Sequence, residues 1–186
     1  MAADDAQPLE SRVAAIFALK QALKERSTKH LVKLAQIDDV RQYALRALAD
    51  RPEETSGDAT AAILAGLKDA TPNVRREAAV ALARTGKTEH ASELTALLTD
   101  VDSLVVHTAI AALVRLDAVD ACLAIIDRTD ASPAARQGAV RVLQSLPYPA
   151  AVDGLLERLA SEQSPQRRMG LITALARLYH IEGVWK

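Results

Sequence analysis

The sequence predicts an all-α solenoid, a stacked array with no single central core, and three observations carry that expectation. First, an amphipathic helix pattern returns in copies opening at Ser11, Val40, Val74, Val105, Ala135 and Arg167, with spacings of 29, 34, 31, 30 and 32 residues. Second, a loop motif travels with it: DATPNVRREAAVALARTG from Asp69, DVDSLVVHTAIAALVRLD from Asp100, DASPAARQGAVRVLQSLP from Asp130 and EQSPQRRMGLITALARLY from Glu162. Third, the chain is 49% hydrophobic but only 3% aromatic, an Ala/Leu/Val composition that suits closely packed helices and suits sheets poorly.

Each repeat is read as two helices, an outer one before the loop and an inner one after it. In the inner helices apolar residues recur at offsets 0, 4, 5, 7, 8 and 11 from the opening residue, as in Val105, Ala109, Ile110, Ala112, Leu113 and Leu116. At about 100° per residue these positions cover an arc roughly 160° wide, broader than the stripe of an ordinary surface helix. Such a helix is expected to touch neighbours on two sides. The outer helices read as 29–37, 58–68, 89–98, 119–127 and 151–160. Pro72, Pro133 and Pro165 stand two residues before an inner pattern, where each marks a corner. The 34-residue spacing contains DRPEETSGD from Asp50, a surface loop open to nicking, with Ser56 or Asp58 as N-cap of the next helix.

The motif D/E-x-x-P-x-[VAR]-R followed by an Ala/Leu helix resembles the HEAT repeat, and more closely the short HEAT-like repeats of the phycobilisome lyase type. The resemblance covers residues 5–178 and is strongest in the last four copies; Ala6 and Ala35 replace the loop acid in the first two. It implies a right-handed α-solenoid of about five to six helical hairpins, so residues 1–186 are read as one solenoid. Because no outer helix precedes the first copy or follows the last, the chain reads as a segment of a longer array. The ending ALARLYHIEGVW is similar to segments that close HEAT-like arrays in very large secreted multidomain proteins of planctomycete-type bacteria. That resemblance implies an extracytoplasmic parent, whereas the acidic N-terminus MAADDAQPLESR, lacking a secretory pattern, points to the cytoplasm.

Two sets of residues carry candidate chemistry. Arginines recur at offset 1: Arg12, Arg41, Arg75, Arg136 and Arg168, with Val106 in the fourth copy. A cation in the first turn of a helix is disfavoured by the helix dipole and needs compensation. Asp69, Asp100, Asp130 and Glu162, five residues before each helix, are placed to supply it as a ladder within or between repeats. The second set lies at offsets 2, 3, 6, 9 and 10, opposite the apolar arc, on the expected concave surface. It comprises Arg46, Arg76, Arg84, His107, Arg115, Arg141 and Arg177. Of the 23 Lys and Arg, 14 fall in the inner windows against only two acids, Asp50 and Glu77, leaving nine basic and 22 acidic residues elsewhere. A net charge of −1 therefore conceals a basic and an acidic side.

Those concave arginines have two readings: a trough for an acidic peptide or domain, or side chains that keep an Ala-rich helix in water. The function expected is a non-catalytic protein-interaction scaffold. Its alternatives are a structural spacer in a larger secreted enzyme or haem protein, and a polyanion binder. Apart from Phe17 and Tyr43 the row lacks stacking aromatics, which weighs against single-stranded nucleic acid. No membrane partner is expected, since the longest early apolar run, Val13 to Leu19, has seven residues. No metal or cofactor is expected either. His30, His90, His107 and His180 lie in different repeats, none followed by Glu, and no phosphate loop, nucleophile elbow or CxxC pair occurs. The one cysteine, Cys122, reads as a small buried hydrophobe.

Overall fold

The computed structural model describes residues 1–51 and 56–180. The inner helices are α1 (Leu9–Leu23), α3 (Arg41–Leu48), α5 (Pro72–Thr85), α7 (Ser103–Arg115), α9 (Pro133–Leu143) and α11 (Pro165–Tyr179). The outer helices are α2 (Thr28–Leu34), α4 (Gly57–Gly66), α6 (Ala91–Thr95), α8 (Val119–Asp127) and α10 (Pro149–Ser161). Each inner helix packs on the next, α1 on α3 through to α9 on α11, and each outer helix packs on the inner helix that follows it. The result is a two-layered solenoid without strands among the described residues. The middle of the nicking loop, 52–55, and the final six residues of the chain, 181–186, lie outside the described residues.

The repeat is written in the core. At offset 4, Ala44, Ala78, Ala109 and Ala139 are wholly buried, and at offset 8 the same helices bury Leu48, Leu82, Leu113 and Leu143. A methyl group lets two backbones approach; the leucine one turn later fills the space beyond, at about 2 kcal/mol for each side chain taken fully out of water. Leu31, Ile63, Leu94 and Leu155 answer from the outer layer with no exposed surface. Gly66 in α4 shows how tight this contact is. A Cβ there would stand 2.6 Å from Leu45 Cδ1 and 3.0 Å from Ala78 Cβ.

Helix ends differ from the sequence reading in an informative way. Pro72, Pro133 and Pro165 are the first residues of α5, α9 and α11, not corners two residues outside them. Proline suits that position because its missing N–H would have no intrahelical partner anyway and its φ is already helical. Ser56 is the N-cap of α4, accepting from the Ala59 N–H at 3.3 Å. The third outer segment is not one α-helix: a 3-10 turn (Thr88–His90) precedes α6 and another (Ala96–Thr99) follows it. Inner helices α5 and α7 are followed by residues in the left-handed region, Gly86 at φ 66° and Asp117 at φ 49°. Only Gly86 occupies it without a Cβ penalty. Cys122 is fully buried in α8, and burial pushes its thiol up to about 12.

Candidate interaction surface

The offset-1 arginines show how the two layers are tied. Arg12, with no outer helix before it, donates to Ala2 O at 3.2 Å; the other four turn back to the carbonyls that follow or end their own outer segment. Arg41 Nε donates to Ala35 O at 2.9 Å, Arg75 Nη1 to Asp69 O at 2.8 Å, Arg136 Nη1 to Ala131 O at 2.6 Å and Arg168 Nη1 to Glu162 O at 2.9 Å. Unpaired carbonyls at a helix C-terminus carry partial negative charge, so one guanidinium answers two problems: its own unfavourable place near an N-terminus and the orphaned acceptors of the preceding element.

In the first three copies the guanidinium also reaches the next repeat. Arg41 Nη1 lies 2.6 Å from Asp69, and Arg75 grips Asp100 with Nε and Nη2 at 2.6 and 2.7 Å. In the second copy, where Ala35 replaces the loop acid, Asp39 at offset −1 takes its place, 3.3 Å from Arg12 Nη1. Asp100 is held below the usual carboxylate range by the Arg75 hydrogen bonds, against the opposing effect of burial, with the Asp102 N–H assisting. Asp69 is also held low: burial works against it, but the Thr71 N–H and the Arg41 guanidinium outweigh that.

The ladder differs beyond α7. Val106 offers no cation, and Asp130 pairs with Arg128 in its own loop instead, at 2.8 Å. Among the described residues Arg136 bonds only backbone carbonyls, from Arg128, Thr129 and Ala131, and its Nε is buried without a partner there. Glu162, the acid expected opposite it, accepts from the Ser164 N–H and from Arg167 at 3.5 Å. Between α9 and α11 a groove of about 600 Å³ opens, walled by Pro133, Arg136, Val140, Gly170 and Leu171.

The outward-facing set is also redistributed. Arg46 is not free: it forms a two-pronged ion pair with Glu77 of α5, its Nε 3.0 Å from Oε2. Glu77 at offset 3 is itself buried against Arg46 of the preceding inner helix, and Gly138 at the same offset is buried against Leu98, so offset 3 is turned away from solvent in these two copies. The buried arc is wider than the apolar residues alone indicate because a charged pair occupies part of it. Arg115 Nε donates to Ala83 O at 3.3 Å. Arg76, Arg84, His107, Arg141 and Arg177 form no hydrogen bond or ion pair among the described residues; Arg76 is half-buried and the others are exposed. One further inter-repeat pair escaped the sequence reading altogether: Arg158 of α10 binds Asp127 of α8 in the outer layer, Nε to Oδ1 at 2.7 Å.

Phe17 of α1, Arg46 of α3, Asp50 after it, Arg76, Glu77, Val80 and Arg84 of α5 and Thr108 of α7 wall one groove of about 600 Å³, in which the Glu77 carboxylate is already paired with Arg46. The groove is lined by side chains from four successive inner helices. The surface presents a short apolar strip, Phe17 and Val80, beside the uncommitted guanidinium groups of Arg76 and Arg84. Among the described residues no cluster of three or more His, Cys, Asp or Glu stands close enough to hold a metal ion.

Comparison with known proteins places this geometry. Residues 28–114 match the family model described as HEAT repeats. No curated protein matches the chain. Among solved structures, an engineered protein is similar at 19% identity over 94% of this chain and 93% of that one, with a TM-score of 0.58. A designed armadillo repeat protein is 20% identical over 95% and 96% of the two chains, TM-score 0.54. Computationally designed armadillo repeat proteins for modular peptide recognition are similar at 19% identity over 91% and 92%, TM-score 0.53. At such identities the likeness is one of fold.

Proposed function

We propose, on the premise that this chain is an armadillo-like solenoid built of HEAT-type repeats, that it is a non-catalytic scaffold binding an acidic peptide segment across α3, α5 and α7. The observation that carries this reading is the groove in which Arg76 and Arg84 stand uncommitted beside Phe17 and Val80. Arginines merely solubilising a helix have no reason to share a groove with partly exposed apolar side chains. A carboxylate beside an aliphatic or aromatic side chain matches both halves of the groove. The designed armadillo proteins named for modular peptide recognition share this layered fold, which supports a peptide as the class of partner.

The test uses fluorescence anisotropy with an array of labelled peptides that pair Asp or Glu with an apolar residue, alongside neutral peptides of the same apolar content. Wild type is expected to select acidic peptides and to release them as salt is added. Arg76→Glu with Arg84→Glu is expected to weaken that binding by about tenfold or more, with circular dichroism unchanged. Equal binding of acidic and neutral peptides, or an unaffected double variant, overturns the reading. Stronger binding to single-stranded DNA with a steep salt slope would replace it by the polyanion reading.

A further inference from the structure

We propose that the groove between α9 and α11 binds a small organic carboxylate with a compact apolar body, seated on Arg136 where an acid of the chain would otherwise tie the two repeats. This groove shares no residue with the one on α3, α5 and α7, and its whole wall belongs to described repeats. Arg136 lacks the acceptor that its equivalents have. Arg75, at the same offset of α5, gives Nε and Nη2 to the two oxygens of Asp100 in the following repeat. In Arg136, Nη1 and Nη2 go to the carbonyls of Ala131, Arg128 and Thr129, while Nε is buried and has no partner among the described residues. An N–H withdrawn from water without an acceptor is costly, and such groups are rare in folded proteins. Glu162 does not fill the gap, because it accepts from the Ser164 N–H at 2.8 Å and meets Arg167 at 3.5 Å.

The opposite wall supplies room. Gly66, Gly138 and Gly154 lie against leucines, where an added Cβ would stand 2.6, 3.1 and 2.5 Å from the nearest side-chain atom, so close packing accounts for each. Gly170, in the interior of α11, meets nothing within 4 Å among the described residues, yet it forgoes the helix propensity that a side chain would bring. No neighbour requires a glycine there. The space it leaves is part of the wall of a groove of about 600 Å³, within the range of small-molecule sites.

The chemistry of the wall selects the ligand. Ile126, Pro133 and Val140 offer apolar surface, none of it fully buried. Arg136 and Arg167 bring two cations and Glu162 one anion. Glu162 stays ionised, since the Ser164 N–H and then Arg167 hold its carboxyl below the usual range against the effect of burial. One positive charge is left over, which a single carboxylate neutralises and a phosphate dianion exceeds. An apolar body attached to that carboxylate covers the aliphatic side chains beside it. Such a ligand bridges two repeats whose own carboxylate tie is missing, and it stabilises the folded chain by mass action.

An NMR titration of the full chain, following backbone N–H signals, reads this directly, with benzoate or phenylacetate added to about 20 mM at constant ionic strength. Benzamide, phenylacetamide and inorganic phosphate are titrated beside them. Both carboxylates are expected to shift signals of α9 and α11 saturably, with a dissociation constant on the order of millimolar for ligands of this size. The neutral amides and phosphate are expected to bind at least about tenfold more weakly. Gly170→Leu puts a side chain into the open space and leaves both arginines in place; it is expected to abolish the saturable shifts with circular dichroism unchanged. Arg76→Glu with Arg84→Glu is expected to leave those shifts as in wild type, which separates this site from the peptide groove. Equal binding of benzoate and benzamide, wild-type binding by Gly170→Leu, loss of the shifts in the Arg76→Glu, Arg84→Glu protein, or no saturable shift in α9 and α11 of wild type overturns the inference.

Discussion

The two halves of the solenoid use the same repeat and are tied differently. Around α3, α5 and α7 each ladder arginine holds both the carbonyls of its own repeat and a carboxylate of the next, and Arg46–Glu77 adds a second tie between the inner helices. Around α9 and α11 the carbonyl bonds persist while, among the described residues, the carboxylate bonds do not, and a groove opens between the helices. The difference separates two jobs that one arginine performs. Tying the outer segment to its own inner helix is kept in all four copies that have both an outer helix and the arginine. Tying one repeat to the next depends on where the acid sits.

Breaking the tie where it is strongest is expected to have the largest effect. Arg75→Ala removes a bidentate partner from Asp100, whose side chain is only 7% exposed, and strips acceptor bonds from Asp69 and Ala70. A loss of about 3 kcal/mol in urea denaturation is expected, since a nearly buried carboxylate is left without its cation. Arg128→Ala, which removes an exposed pair within one loop, is the control expected to leave the midpoint unchanged.

Acid is the next lever, and its sign follows from the carboxylates. Asp69 and Asp100 titrate lower in the folded chain than in the unfolded one, where Asp has an ordinary value of about 3.9. Their contribution is therefore complete above about pH 4 to 5 and is lost as pH falls through the lower folded values. Urea midpoints measured from pH 7 to 3 are expected to stay level and then fall, with a shallower fall in Asp100→Asn. A midpoint that declines equally in both proteins would remove Asp100 from the account.

Two substitutions are expected to make the C-terminal half resemble the N-terminal one. Val106→Arg supplies the missing cation opposite Asp130 and is expected to stabilise by about 1 kcal/mol, provided Asp130 exchanges Arg128 for it. Gly170→Glu addresses the other tie. Arg141 and Gly170 occupy the offsets that Arg46 and Glu77 occupy earlier, and a Cβ at Gly170 meets nothing within 4 Å. A gain of somewhat under 1 kcal/mol is expected from helix propensity and a half-exposed ion pair. In an Arg141→Ala background only the propensity part should remain.

Much of this was legible in the sequence because a solenoid repeats its physics. The alanine at offset 4 and the leucine at offset 8 recur with the period, so the layers and their order follow from counting. Carbonyl capping by the ladder arginines was not legible, since backbone acceptors leave no residue signature. Asp39 was hidden by a shift of register, the acid having moved from offset −5 to −1. The Arg46–Glu77 pair did leave a trace: one of only two acids in the inner windows sits at offset 3, one repeat after an arginine at offset 6. A lone opposite charge in a basic row is a signal for a partner next door. Lys20, only 1% exposed in α1, follows from neither the apolar comb nor the charge count.

Cys122 turns the contrast between the halves into something that can be timed. It is the chain's single thiol, it lies beyond the gap at Val106, and its side chain is wholly enclosed with a thiol pushed up to about 12. A disulfide reagent can reach it only while the surrounding repeats stand open, so the labelling rate is a clock for that opening. A linear array whose neighbours are unequally coupled has no obligation to open all at once. If Cys122 reacts at the rate of global unfolding, the solenoid behaves as one cooperative unit despite its missing tie. If it reacts faster, the chain parts between α7 and α9, and the N-terminal repeats stay folded while the C-terminal ones come and go.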